Sequence, residues 1–233
     1  MSVDLSVVIP CFNEEARLGA TLGKIVGYLD QRGKTYEILV IDDGSQDATV
    51  SVAEALAFEP MRVLEHGENR GKGAAVRTGV LASTGEWVLI TDADLSTPIE
   101  DLERLERRSA EAEIVLGSRA VAESEIVRHQ PLYRELMGKT FNVIIRSIGL
   151  VGLHDTQCGF KLFRGPVARE LFECSKVDHF AFDVEVVWLA QKAGYTVVEE
   201  GVTWEDSPSS RVSPIGDSWR MLIDVLRLRF WKS

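Results

Sequence analysis

Along the first half of the chain, short apolar runs alternate with longer segments whose apolar residues recur at helical spacing. Leu5–Ile9, Glu37–Ile41, Met61–Glu65, Trp87–Thr91 and Glu113–Leu116 read as strands. They are brief and rich in Val, Ile and Leu at successive positions, the pattern of strands buried on both faces. Between them, Glu15–Leu29, Thr49–Phe58, Gly73–Ala82 and Pro98–Ser109 carry the helical period. Such alternation predicts right-handed crossovers and an α/β fold, a mostly parallel sheet flanked by helices. Ligands of these sheets bind beyond the carboxyl ends of the strands. Chemistry is therefore expected in the polar loops Pro10–Glu14, Asp42–Asp47, Glu68–Lys72 and Asp92–Ser96.

The second half is less regular. Leu132–Gly149 reads as a long helix, His154–Arg164 as a polar and aromatic turn region, Val184–Ala193 as a buried helix and Thr196–Glu200 as a late strand. Asp217–Trp231 places Trp219, Leu222, Ile223, Leu226 and Phe230 at helical spacing, with Arg220, Arg227, Arg229 and Lys232 interleaved. This amphipathic C-terminal helix either packs on the core or lies in a membrane interface. With 233 residues and no linker-like stretch, the chain is expected to form one domain.

A net charge of −10 and a pI near 5.0 disfavour nucleic acid as a partner, because phosphate backbones attract basic surfaces. Cys11, Cys158 and Cys174 form no CxxC pair, which points to a reducing compartment. Leu5–Ile9 is too short for a signal h-region, and no segment reaches the ~18 apolar residues of a spanning helix. Membrane contact, if any, is expected at the surface. The histidines His66, His129, His154 and His179 have no zinc spacing, and no G-x-S-x-G elbow is present.

Asp92-Ala93-Asp94 follows a buried strand directly, so alternation points both carboxylates to one side. Paired carboxylates repel unless a cation lies between them, and Mg²⁺ or Mn²⁺ takes one or two carboxylates while leaving room for substrate phosphates. The alternative is that these aspartates cap the following helix, for which Ser96 or Thr97 is better placed. Asp42-Asp43-Gly44-Ser45 is either a tight turn or a carboxylate site for a base or ribose. Glu68-Asn69-Arg70-Gly71-Lys72-Gly73 departs from a P-loop in its glycine spacing and in having Gly73 where Ser or Thr would hold magnesium. A kinase is thus disfavoured, although Lys72 at a helix start could face a diphosphate. Arg119, after another strand, and Arg134 suit bidentate phosphate recognition, or else Arg134 sits on a solvated face.

Val8–Glu15, Val40–Ser45, Asn69–Gly73 and Thr91–Asp94, in that order, resemble the signature of family 2 glycosyltransferases with the GT-A fold. Gly117–Arg119, Asp155–Phe163 and Phe182–Glu185 narrow the likeness to dolichyl-phosphate glucosyltransferases, with the mannose synthases as cousins. The resemblance implies that Pro10, Phe12, Glu14 and Asp43 hold the nucleoside. It implies that Asp92 and Asp94 bind the metal, Mg²⁺ or Mn²⁺, and the donor diphosphate, with Ala93 also at the nucleotide sugar and Lys72 and Arg211 helping. Arg119 and Arg134 would grip a polyprenyl phosphate. Asp183 or Asp155 would act as base toward a hydroxyl acceptor, while Gln157 and Lys161 remain unassigned. Residues 1–118 then form the nucleotide-sugar-binding half, 119–216 the acceptor side and 217–233 the amphipathic helix. The implied activity is inverting transfer of glucose from UDP-glucose to a dolichyl-type phosphate, at the cytoplasmic membrane face. A hydroxyl acceptor, or a non-catalytic nucleotide-sugar-binding protein, are the alternatives.

Overall fold

A computed structural model describes residues 3–56, 59–128, 152–206 and 216–228, the last segment with side chains over 220–227. Strand β1 (Leu5–Cys11) lies between β2 (Tyr36–Asp42) and β4 (Trp87–Ile90), and β3 (Met61–Glu65) forms the edge beside β2. All these pairings are parallel. Beyond β4 come β7 (Lys161–Arg164), β5 (Ile114–Ser118) and β8 (Val197–Gly201), completing a seven-stranded sheet among the described residues. β7 runs antiparallel to both β4 and β5, whereas β5 and β8 are parallel. A separate ribbon pairs β6 (Glu125–Arg128) with β9 (Thr203–Glu205).

The unbroken apolar runs are explained by a helical layer on each face of the sheet. Leu5, Val7 and Ile9 pack with Leu18, Leu22 and Ile25 of α1 (Leu18–Asp30), with Ala53 of α2 (Thr49–Ala55), and with Leu102 and Leu105 of α4 (Leu102–Arg108). Val8, Leu39, Ile41, Val88 and Ile90 face the other way. They meet Ala75, Val76 and Val80 of α3 (Lys72–Ala82), Phe172 of α5 (Gly165–Cys174) and Val184 of α6 (Phe182–Ala193). Strand parity divides one sequence run between two cores.

The expected strands and helices of the first half are present with shifted ends: α1 starts at Leu18, and Pro98–Ser109 divides into a 3₁₀ turn, Ile99–Asp101, followed by α4. Neither Ser96 nor Thr97 caps that turn. Within His154–Arg164, read as a turn region, the last residues form β7, whose charged first position hid the short apolar run. The ribbon strands and α5 were also unread, although Pro166 in the first turn of α5 is a helix-start signal. The helix expected at Leu132–Gly149 lies outside the described residues, as do Arg134 and Arg211. The C-terminal helix, α7 (Gly216–Leu228), inserts Met221 and Val225 into the core and exposes Leu226 and Arg227. No helix among the described residues is long and apolar enough to cross a membrane.

Candidate active site

The site is built where four parallel strands end and the antiparallel β7 begins. Lys161, the first residue of β7, is in register with Ile90 of β4 and Leu116 of β5, so it stands at their carboxyl ends. Asp92 follows β4 after one residue, and its Oδ1 lies 2.6 Å from Lys72 Nζ at the start of α3. Lys161 Nζ is 2.5 Å from Asp183 Oδ1 in the first turn of α6 and also donates to the Cys158 carbonyl. Lys161 is 2% exposed and Asp183 6%.

These pairs form one electrostatic unit. Burial alone would lower the Lys72 pKa, yet attraction to Asp92 and then Asp183 outweighs it and holds the ammonium charged. For Asp92, burial pushes upward, but Lys72 and, more weakly, Lys161 and Arg119 bring the carboxyl below its ordinary value. Asp183 goes the other way: burial raises its pKa despite Lys161 and Lys72.

Asp94 accepts the Ser96 backbone N–H at 3.0 Å and the Ser96 hydroxyl at 2.9 Å through Oδ1. Its Oδ2 lies 3.7 Å from Arg17 Nη1, and Arg17 in turn donates from Nη2 to Glu14 Oε1 at 2.7 Å. Arg17, which the sequence reading missed, thus links the loop after β1 to the loop after β4. The intervening Ala93 is buried, and its carbonyl accepts the Thr21 hydroxyl of α1 at 2.7 Å. Leu95 closes this turn at φ 46°, a left-handed conformation costing a non-glycine residue about 1–2 kcal/mol. Pro10 is the penultimate residue of β1, and Phe12 follows that strand, half-buried.

The two aspartates at the end of β2 have different partners. Asp43 is fully engaged inside the protein: Oδ1 accepts the Arg70 N–H at 3.0 Å and lies 2.7 Å from His66 Nδ1, while Oδ2 accepts the Gly71 N–H at 2.8 Å. It fastens the loop that presents Lys72. Asp42 Oδ2 accepts the Gly44 and Ser45 N–H groups, whereas its buried Oδ1 has no partner among the described residues. Asp43, which the resemblance places at the nucleoside, thus also holds the loop at Arg70 and Gly71. Gly71, at φ 107°, packs where a Cβ would strike the Asp178 carbonyl and the His179 ring, so glycine is required to bring this loop against the 177–179 segment.

Arg119, immediately after β5, makes a bidentate pair with Asp155: Nε to Oδ2 at 2.7 Å and Nη2 to Oδ1 at 2.8 Å. Its guanidinium carbon stands 5.4 Å from the centroid of the Trp204 ring. Burial would raise the Asp155 pKa, but Arg119 brings it down to about 2. Gln157 donates its N–H to Asp155 Oδ1 at 3.2 Å.

Asp92 and Asp94 fit a hard divalent cation. A Cβ on Gly159 would run into the Asp92 carboxylate, so glycine leaves that carboxylate its room. Among the described residues no group of three or more His, Cys, Asp or Glu forms a cage. A site of one or two carboxylates suits an ion that completes its shell with phosphate oxygens and water.

Comparison with known proteins agrees with this architecture. The pattern defining "Glycosyl transferase family 2" matches residues 6–172. The chain is 36% identical to a dolichyl-phosphate beta-glucosyltransferase of Dictyostelium discoideum, over 98% of this chain and 75% of that protein. It is 38% identical to the Drosophila melanogaster protein of that name, over 94% and 72%. Glucosyl-3-phosphoglycerate synthase from Mycobacterium tuberculosis, solved with Mn²⁺, UDP-glucose and phosphoglyceric acid, superposes with a TM-score of 0.72 at 18% identity, covering 99% of this chain and 81% of that one, a likeness of fold. By its sequence and its sheet, the chain belongs to glycosyl transferase family 2.

Proposed function

We propose that this protein is an inverting glucosyltransferase that moves glucose from UDP-glucose to a polyprenyl phosphate of the dolichyl type at a membrane surface. The names of its relatives support a glucosyl group and a dolichyl-phosphate acceptor, and one structural observation supports the acceptor class. Both carboxylates that could serve as a base toward a hydroxyl are engaged: Asp155 is chelated by Arg119 with its pKa near 2, and Asp183 lies against Lys161. A phosphate acceptor needs no such base, since it is already ionised near neutral pH.

In this reading the nucleobase lies beside Pro10, Phe12, Glu14 and the Asp42-Asp43 turn, and Lys72 lies along the diphosphate. Asp92 and Asp94 hold Mg²⁺ or Mn²⁺, which when bound neutralises charge on the departing diphosphate. Lys72 supplies fixed positive charge toward the same oxygens, and Asp183 with Lys161 keeps that corner of the site ordered and charged. Arg119 uses Nε and Nη2 for Asp155, leaving Nη1 to meet the acceptor phosphate. A phosphate oxygen then attacks the anomeric carbon as the bond to the diphosphate breaks. UDP departs, and the α-linked donor gives a β-linked glucosyl phosphate. Arg134 and Arg211 are proposed to assist at acceptor and diphosphate. Arg227, with Ile223 and Leu226, on the outer side of α7 is suited to a peripheral contact with lipid.

The test is transfer of label from UDP-glucose, with Mn²⁺, to a polyprenyl phosphate, read in the organic phase. Asp94→Asn should reduce transfer at least about a hundredfold, as loss of a transition-state charge partner does. Its far-UV spectrum should match the wild type. No organic-phase label with wild-type protein, or full activity in the variant, would refute the reading.

A further inference from the structure

Glu199, in the middle of β8, is a carboxylate whose side chain is 6% exposed and which has no lysine or arginine bridge among the described residues. A buried carboxylate is tolerated when hydrogen-bond donors surround it. Here those donors come from one short segment. Oε2 accepts the His154 backbone N–H at 2.7 Å and lies 2.9 Å from His154 Nδ1, and Oε1 accepts the Asp155 N–H at 2.7 Å. Nothing in the sheet itself requires a charge at this position, since the backbone of β8 already pairs with β5 through Leu116. The role of the carboxylate is to fix residues 154 and 155.

The segment it fixes is the one that orients Arg119. Asp155 accepts from Arg119 through Nε and Nη2 and also from the Arg119 backbone N–H at 3.0 Å, so guanidinium and main chain are both tied to one carboxylate. Trp204 covers the guanidinium face. Displacing Asp155 by a fraction of an ångström would rotate the planar fork and redirect Nη1, because a bidentate pair transmits orientation as well as charge.

We propose that Glu199 is a positioning residue that acts through Asp155 to aim Arg119 at the acceptor phosphate. This rests on the reading of Arg119 given above. It assigns to the strand farthest from the donor loops a share in acceptor affinity and none in donor affinity.

Glu199→Gln keeps the shape but converts one acceptor oxygen into a donor facing an N–H. With UDP-glucose saturating and polyprenyl phosphate varied in detergent micelles, the variant should raise the acceptor KM about tenfold, while the KM for UDP-glucose stays within about twofold. In an Arg119→Ala background the same substitution should have no further effect on acceptor KM, since its route of action is gone. His154→Ala, at a side chain 53% exposed, removes the ring contact alone and should shift the acceptor KM in the same direction by a smaller factor. If Glu199→Gln folds poorly, the His154→Ala shift, and its disappearance in the Arg119→Ala background, decides. An unchanged acceptor KM, equal changes in both KM values, or an effect undiminished without Arg119 overturns the proposal. If wild-type protein transfers no glucose to polyprenyl phosphate, the functional reading fails first, and the two failures are distinguishable.

Discussion

Asp42 and Asp43 show how little a residue's identity says until its neighbours are known. The pair stands at the end of β2, and a carboxylate at that place was readable as either turn or ligand. What separates the two is non-local: the N–H groups of Arg70 and Gly71 and the His66 ring reach Asp43, whereas Asp42 keeps one oxygen without a partner among the described residues. Asp43→Asn removes an acceptor from buried N–H groups and should destabilise the fold by about 1–3 kcal/mol, seen as a lower urea midpoint. Asp42→Asn should leave the midpoint within about 1 kcal/mol of wild type. It should weaken UDP binding in calorimetry if the proposed nucleoside site includes its carboxylate. The reverse pattern would leave the nucleoside to Asp43. Asp92, Asp94 and Lys72 were legible because each directly follows a buried strand or opens a helix, so a local pattern placed it. Arg17 and Trp204 were not, since each matters only through the partner it meets across the fold.

At the scale of elements, β7 is the informative case. Its sequence, Lys-Leu-Phe-Arg, has a charge at each end and only two apolar residues, so periodicity offers nothing to read. The strand is nevertheless central, and Lys161 can be buried there because Asp183 and the Cys158 carbonyl receive its ammonium. Removing one partner of such a pair costs more than removing both, because a lone buried charge remains. Lys161→Met should therefore cost about 3–5 kcal/mol in urea unfolding, and adding Asp183→Leu should recover most of that loss. No recovery in the double variant would mean that the amine, rather than its pairing, supports the strand. The parallel strands β1, β2, β4 and β5 raised no such difficulty: their apolar runs are covered on both faces.

The whole molecule is joined by that same strand. β4 and β5 both come from the first half of the sequence, yet they do not pair with each other; β7, from the second half, lies between them. The division expected at residues 118 and 119 is thus not a seam in the fold. Local pattern showed the strands and helices but not this interleaving, since strand order depends on contacts far apart in sequence. One consequence is mechanical. A chain ending after Ser118 leaves β5 without a neighbour on either side and strips Phe163, Phe172, Phe182 and Val184 from the core that covers Val8, Ile41 and Ile90. The apolar face left behind lacks the burial that must offset about 1–2 kcal/mol of backbone entropy per residue. Such a fragment should show a broad, non-cooperative thermal transition by circular dichroism, whereas the full chain should melt in one step. If the fragment melts sharply, the nucleotide-binding half folds on its own, and β7 is an addition to a finished sheet instead of the strand that completes it.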